Sequence, residues 1–207
     1  MRVNGTSNKV LVKNKAQTTV TTIPYKQSEI VKLVEKSADG DLEAFGELYS
    51  IYLAPIYRYV SYQVRDKMTA EDIVEEVFVK AWKAIGTCKG KGQTFSAWLY
   101  RIAHNHVVNT LRRMNKRVSL ESVEMEIETL IEVTNPEQEV EAKLAKQELL
   151  EAMICLSQNQ RQVIILKFIE GLNNSEIAQV LGKREGAVRV LQMRALSKLR
   201  QELGRVK

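Results

Sequence analysis

Apolar side chains recur at steps of three and four residues along most of this chain, and this period constrains the fold more than any other feature. The step is four residues from Ile73 through Val77 and Ala81 to Ile85. The segment 95–114 has the same pattern. Such a period places one apolar stripe along a helix that packs against a core. The sequence therefore predicts an all-α fold.

Local residues predict where two of the helices begin or break. Thr69, followed three residues later by Asp72, resembles a capping box and predicts a helix start. Pro55 falls inside an apolar-periodic run, where its missing N–H predicts a kink or a break.

The apolar period stops between residues 115 and 140, which are acidic and contain the helix-stopping pair Asn135-Pro136. We therefore expect two small helical domains joined by an acidic linker. The expected divisions are a disordered basic tail at 1–27, an N-terminal domain at 28–114, the linker at 115–140 and a C-terminal domain at 141–207. A basic arm that contacts DNA is the alternative reading of the tail.

Charge is distributed unevenly along the 207 residues, whose formal net charge is +6. Residues 115–155 carry ten acidic and four basic side chains, whereas residues 156–207 carry four acidic and ten basic ones. A basic C-terminal block indicates an anionic partner, with nucleic acid as the first candidate and a solvated surface as the alternative.

The segment 174–193 has the pattern of a helix-turn-helix. Ala178 supplies the small residue where two helices cross, and Gly182 supplies the turn residue. Asn173 and Glu176 can cap the first helix reciprocally. The expected inward positions are Ile177, Leu181, Val188 and Leu191. The expected outward positions, which can reach bases or phosphates in a major groove, are Arg184, Glu185, Arg189, Val190, Met193 and Arg194.

Two further polar faces are predicted in the N-terminal domain. Acidic residues share one side of the helix near Thr69, as a docking face for a basic partner or as ordinary helix-dipole partners; they are Asp72, Glu75 and Glu76. Amide and basic residues share one side of the next helix, where they can contact bases and phosphates; they are Arg101, Asn105, Asn109, Arg112 and Arg113. Phe95, Trp98 and Tyr100 are candidates for stacking on bases, with a place in the core as the alternative for Phe95 and Trp98.

No enzyme constellation is found in the sequence. His104 and His106 lie two residues apart on a helix and point to different faces, so we expect neither a metal nor any other cofactor. Cys88 and Cys155 have no metal-ligand spacing and are expected to be reduced thiols, with a redox role for Cys88 left open. No apolar run is long enough to span a bilayer and no signal peptide is evident, so we expect a cytoplasmic protein without membrane insertion.

Three segments, in order, resemble regions of extracytoplasmic-function (ECF) RNA polymerase sigma factors, which belong to the sigma-70 family. AEDIVEEVFVKAW (70–82) is similar to the polymerase-docking region, FSAWLYRIAHNHVVNTLRR (95–113) to the region that reads the −10 promoter element, and 156–200 to the domain that reads the −35 element. The short acidic linker is similar to that of ECF factors, whereas larger sigma factors carry an extra domain there.

The resemblance implies a set of roles and partners. Asp72, Glu75 and Glu76 would dock on the β′ coiled coil of core RNA polymerase, and the C-terminal domain on the β flap. The loop with Lys89 and Lys91 would capture an unstacked base of promoter DNA. Ala187, Leu191 and Met193 replace the family's frequent Thr, Arg and His. An anti-sigma factor is an expected further partner.

The sequence therefore predicts a promoter-recognition subunit that is not an enzyme. A stand-alone helix-turn-helix regulator, a nucleic-acid enzyme and a structural helical adaptor are the alternatives.

Overall fold

The computed structural model describes residues 25–64, 66–88, 94–117 and 152–204, and it describes the side chains of this set except at 115–117. Every regular element in these ranges is helical, which confirms the predicted all-α fold. Residues 1–24 of the expected tail and most of the expected linker lie outside the described residues, and Gln27, the last residue assigned to the tail, is already the first residue of a helix.

Four helices form an N-terminal bundle. They are α1 (Gln27–Ala38), α2 (Leu42–Ser61), α3 (Lys67–Ala84) and α4 (Phe95–Arg117), with a 3-10 turn at Ile85–Cys88 after α3. Their apolar stripes meet in the core, where Ile56, Val77, Leu99 and Val107 are fully buried. This packing leaves the polar sides of α3 and α4 on the surface.

One predicted helix start is wrong, and of the kink or break predicted at Pro55 the break does not occur. The helix predicted to start at Thr69 starts at Lys67, because the Asp66 carboxylate accepts hydrogen bonds from both the backbone N–H and the hydroxyl of Thr69, each at 2.7 Å. Pro55 does not split its helix: α2 runs through it, and Pro55 itself is buried in the core, where packing offsets the one lost backbone hydrogen bond.

The C-terminal helices form a second unit. They are α5 (Gln158–Ile164), which continues as a π-helical segment at Ile165–Ile169, α6 (Asn174–Leu181) and α7 (Glu185–Leu203). Gly182 ends α6 in the left-handed conformation (φ 61°), which favours glycine. The buried residues of this unit and those of the N-terminal bundle belong to one continuous hydrophobic cluster.

A buried carboxylate joins the two units. Glu170 follows the π-helical segment, and its side chain is only 1% exposed. Arg58 of α2 donates to both carboxylate oxygens, from Nε at 2.9 Å and from Nη2 at 2.7 Å. The Tyr100 hydroxyl of α4 donates to the same carboxylate at 2.6 Å. We call these three residues the Glu170 clasp.

Two further contacts involve α4 and the residue before it: one joins its start to α6, against which α4 packs, and the other joins α4 to α2. The Thr94 hydroxyl donates to the Glu176 carboxylate at 2.7 Å. His104 is half-buried and lies 3.4 Å from the Tyr59 hydroxyl through Nδ1. Burial, reinforced by the positive charge of Lys183, lowers the pKa of His104 to about 4.

The Glu170 clasp predicts a large penalty for removing Arg58. In Arg58→Met, Glu170 keeps its burial and loses its cation, so we expect a loss of about 3 kcal/mol in the free energy of unfolding, measured with urea. Arg189→Ala, which removes the exposed pair with Glu185 (3.4 Å), is the control and should cost at most about 0.5 kcal/mol. Equal effects of the two substitutions would contradict the clasp.

His104 predicts that acid weakens the fold. Its folded pKa of about 4 lies below the ordinary value of 6.5. The unfolded chain therefore takes up the proton first, and stability that is fully present above about pH 6.5 is lost as the pH falls towards the folded pKa. Urea unfolding at about pH 7.5 and about pH 5 should show a smaller loss for His104→Gln than for the unaltered chain. The same loss in both would rule out this role for His104.

Candidate nucleic-acid and polymerase interface

The acidic side chains of α3 lie together on the surface. Asp72, Glu75 and Glu76 are all exposed, whereas Ile73 and Val77 on the opposite side of the helix are buried. The spacing of three and four residues produces this arrangement, because it brings side chains to one side of a helix. We call these three residues the acidic face.

Glu76 links the acidic face to α4. Its Oε2 lies 3.3 Å from Lys80 Nζ and 3.4 Å from His106 Nε2. Lys80 Nζ also lies 2.6 Å from His106 Nδ1. The hydrogen bond from Lys80, together with the positive charge that His106 carries when it is protonated in acid, lowers the pKa of Glu76. Burial and the charge of Lys80 lower the pKa of His106. The carboxylate is therefore held in its charged form beside a neutral imidazole at neutral pH.

The predicted polar residues of α4 also lie on one exposed side of their helix. They alternate with the buried residues Leu99, Ala103 and Val107, which point into the bundle. We call this exposed set the polar face of α4, and its members are Arg101, Asn105, Asn109, Arg112 and Arg113. It presents three guanidinium groups and two amides to solvent, which are the groups that bind phosphates and base edges.

Only some of the residues just before α4 are described. Lys89 and Lys91, predicted to contact the −10 region, lie outside the described residues. Thr94 is described, and its hydroxyl oxygen accepts from the backbone N–H of Ala97 at 3.2 Å, which caps the start of α4. The same hydroxyl donates to Glu176, so the start of α4 is fixed against α6.

The helix-turn-helix has the predicted local geometry. Asn173 Oδ1 accepts from the backbone N–H of Glu176 at 3.0 Å, and the Glu176 carboxylate accepts from the backbone N–H of Asn173 at 2.9 Å, which confirms the reciprocal cap. Ile177, Leu181 and Val188 are buried as predicted, and Leu191 is half-buried. The residues predicted for the −35 region are all exposed: Arg184, Glu185, Ala187, Arg189, Val190, Met193 and Arg194.

The aromatic side chains at the start of α4 belong to the core. Phe95, Trp98 and Tyr100 are at most 7% exposed, so base stacking is the wrong alternative for them in this conformation. Phe95 packs edge-on against Tyr52, with ring centroids 5.1 Å apart. Tyr100, moreover, is held by the Glu170 clasp, a role for which its sequence neighbourhood contains no indication.

His104 and His106 point to different sides of α4, as predicted. His104 lies against Tyr59 and His106 against Glu76. Among the described residues, no group of three histidine, cysteine or acidic side chains could hold a metal ion. Cys88 is buried, and burial raises the pKa of its thiol to about 11, so little reactive thiolate forms at neutral pH. No helix in the described ranges combines the length and apolar character needed to cross a bilayer.

Two family models match the chain, in the same order along the sequence as the two predicted domains. "Sigma-70 region 2" matches residues 48–117, which include α3 and α4. "Sigma-70, region 4" matches residues 146–199, which include the helix-turn-helix.

Several curated relatives are ECF sigma factors. The chain is 38% identical over 172 residues to BldN of Streptomyces coelicolor, an alignment that covers 83% of this chain and 65% of BldN. It is 32% identical over 182 residues to SigD of Mycobacterium tuberculosis, covering 83% of this chain and 82% of SigD. It is 32% identical over 164 residues to sigma-E of Escherichia coli, covering 76% of this chain and 85% of sigma-E.

Solved structures share the fold. CnrH, in complex with the cytosolic domain of CnrY, superposes with a TM-score of 0.65 at 24% identity and covers 88% of this chain and 100% of its own. RpoE from Bartonella quintana, in complex with the anti-sigma factor NepR, gives a TM-score of 0.63 at 22% identity and covers 79% and 98%. Taken with the relatives and the two matched regions, the arrangement of helices shows that this chain belongs to the ECF family of RNA polymerase sigma factors.

Proposed function

We propose that this chain binds core RNA polymerase, directs it to promoters and so starts transcription, without catalysing a reaction itself. The observation that carries the proposal is the position of the acidic face beside the polar face of α4. Glu76 of the acidic face lies 3.4 Å from His106, which is the neighbour of Asn105 on α4. One bundle can thus hold polymerase and promoter DNA at the same time. The site of action is the bacterial cytoplasm, where core polymerase and DNA lie.

The acidic face is the proposed contact with the β′ coiled coil. Three exposed carboxylates on one helix side complement a basic partner surface, and complementary charge speeds and orients such an encounter. The proposed contact with the β flap is made by the C-terminal unit, which exposes the apolar side chains Ile154, Phe168 and Leu196 at 38–54%.

The polar face of α4 is the proposed reader of the −10 element. Asn105 and Asn109 lie one turn apart, so their amides can contact neighbouring bases that have left the stack. Arg101, Arg112 and Arg113 flank them with positive charge for phosphates. Capture of unstacked bases by this face, together with the preceding loop that contains Lys89 and Lys91, would favour the melted promoter.

The helix α7 is the proposed reader of the −35 element. It presents Arg184, Arg189 and Arg194 to solvent, and Gly182 and the cap on α6 fix its angle to that helix. A recognition helix held in this way can enter a major groove by its N-terminal end.

The two readers must move apart to occupy one promoter. The elements lie about 25 base pairs apart, which is about 85 Å along B-DNA. In the described arrangement the Thr94–Glu176 hydrogen bond keeps α4 and α6 together, and helices of these lengths hold Asn105 within about 50 Å of Arg189. Promoter binding therefore requires the Glu170 clasp to open, with polymerase holding the two units at the new spacing.

An anti-sigma factor is a proposed further partner. CnrH and the Bartonella quintana RpoE, which share this fold, were both solved in complex with other proteins, the second with an anti-sigma factor. A protein that covers the acidic face or the polar face of α4 would keep this chain from polymerase and DNA.

Reversing one charge of the acidic face tests the polymerase contact. Glu76→Lys should weaken binding to core polymerase at least about tenfold, because a cation then meets a basic surface, and should remove transcription from a cognate promoter. Glu35→Lys makes the same charge change on an exposed residue of α1 and should leave both activities unchanged. Binding is measured by co-purification with core polymerase, and circular dichroism checks that both variants fold.

If folded Glu76→Lys binds and transcribes as the unaltered chain does, the docking assignment is wrong. If the unaltered chain binds promoter fragments alone and never co-purifies with polymerase, it acts as a stand-alone regulator.

A further inference from the structure

The exposed side of α7 is apolar at its centre. Four outward positions in the first three turns follow one another at steps of one and three residues, and all of them are exposed. Val188, Ala195 and Leu199 lie on the opposite side and are buried. We call the outward set the groove arc, and its members are Gly186, Ala187, Val190 and Met193.

The groove arc contains no side chain that can read hydrogen-bond donors and acceptors. Glycine, alanine and valine have no polar side-chain atom, and the Met193 thioether is only a weak acceptor. Val190 is nevertheless 41% exposed and Met193 64% exposed. Exposed apolar side chains in the middle of a DNA-reading helix can contact an apolar group on the DNA. In the major groove that group is the 5-methyl of thymine.

Charge identifies DNA as the occupant of the groove arc. Arg184 lies at its N-terminal end, Arg189 lies along one edge, and Arg194 directly follows Met193 at its C-terminal end. Glu185 is the one acidic residue of this surface among the described residues, and it pairs with Arg189 at 3.4 Å. A rim of cations around an apolar strip fits phosphate backbones on both sides of a groove, whereas a protein partner would not need that rim.

The shape of the groove arc fits a helix whose first turn enters the major groove most deeply. Among the described residues, nothing lies within 4 Å of a Cβ added at Gly186, so the packing of these residues does not require glycine there. Small side chains at Gly186 and Ala187 leave space for base edges close to the helix axis. The longer side chain of Val190 follows one turn later and that of Met193 about one turn after it, where the distance to the bases is greater.

We propose that Val190 and Met193 are specificity-determining residues that contact thymine methyl groups in the −35 element. The inference rests on the proposed function, because it assigns chemistry to the same α7 surface. The preferred −35 element should carry A·T pairs at the positions beneath these two side chains.

Replacing thymine by uracil tests the contact, because it removes the methyl group and leaves every hydrogen-bonding atom of the base in place. Holoenzyme, made from bacterial core polymerase and the full chain, first recovers promoters from genomic fragments. The −35 region of a recovered promoter is then randomised, and the selected sequence is synthesised with single thymine-to-uracil changes. At one or two positions we expect binding to fall about fourfold, as for the loss of one buried methyl group.

Variants of the chain assign each effect to a side chain. Met193→Gln and Val190→Ala should bind less tightly than the unaltered chain and should each lose the response to uracil at one position. Arg194→Ala is the matched control on the same helix, and it should bind less tightly while responding to uracil as before. These residues are exposed, so folding should be preserved, and circular dichroism together with unchanged binding to core polymerase checks this.

The outcomes distinguish a failure of the methyl contact from a failure of the proposed function. If a −35 sequence is selected and no uracil change alters binding, or if both variants respond to uracil as the unaltered chain does, the methyl contact is wrong and the sigma function stands. If no promoter is recovered and no −35 sequence is selected, the proposed function is wrong and the methyl contact is overturned with it.

Discussion

Glu170 is the charge on which the arrangement of the described helices depends. A carboxylate with 1% of its side chain exposed is stable only when cations and hydrogen-bond donors replace the water it has lost. Arg58 and Tyr100 supply them from two different helices of the N-terminal bundle. The geometry is specific, because a bidentate guanidinium fixes direction as well as distance. When the two units separate, Glu170, Arg58 and Tyr100 regain contact with water, which offsets part of the lost interaction. A clasp of this kind can therefore hold two units together and still allow them to separate.

The helix α4 shows how one element can serve three surfaces at once. Different sides of this 23-residue helix face the core, the C-terminal unit and solvent. Leu99 and Val107 are buried in the bundle, Tyr100 and His104 face the C-terminal unit, and Asn105 is exposed. His106 adds a contact with the acidic face of α3. A shift of α4 would therefore alter the proposed polymerase contact, the Glu170 clasp and the proposed DNA contact together. This gives a physical basis for coupling among them.

The features that the sequence could predict are local ones. The cap between Asn173 and Glu176, the turn at Gly182 and the buried stripe of α3 each depend on residues within a few positions of one another, so spacing alone identifies them. The Glu170 clasp could not be found in this way, because Arg58 and Glu170 are 112 residues apart and a pair of that kind leaves no period in the sequence. The helix start at Lys67 was missed for a different reason: two capping residues compete there, and the Asp66 carboxylate gains two hydrogen bonds where Thr69 would gain one.

The central claim is that two DNA-reading units of one chain act together on polymerase, at a spacing that polymerase sets. It is tested most directly by transcription in vitro from a recovered promoter whose −10 and −35 elements are moved apart by about five base pairs, half a turn of B-DNA. The account predicts defined transcripts that require both core polymerase and this chain on the original promoter, and their loss on the lengthened one, although each element is intact. Transcription that is indifferent to the spacing, or that does not require the chain, would contradict it.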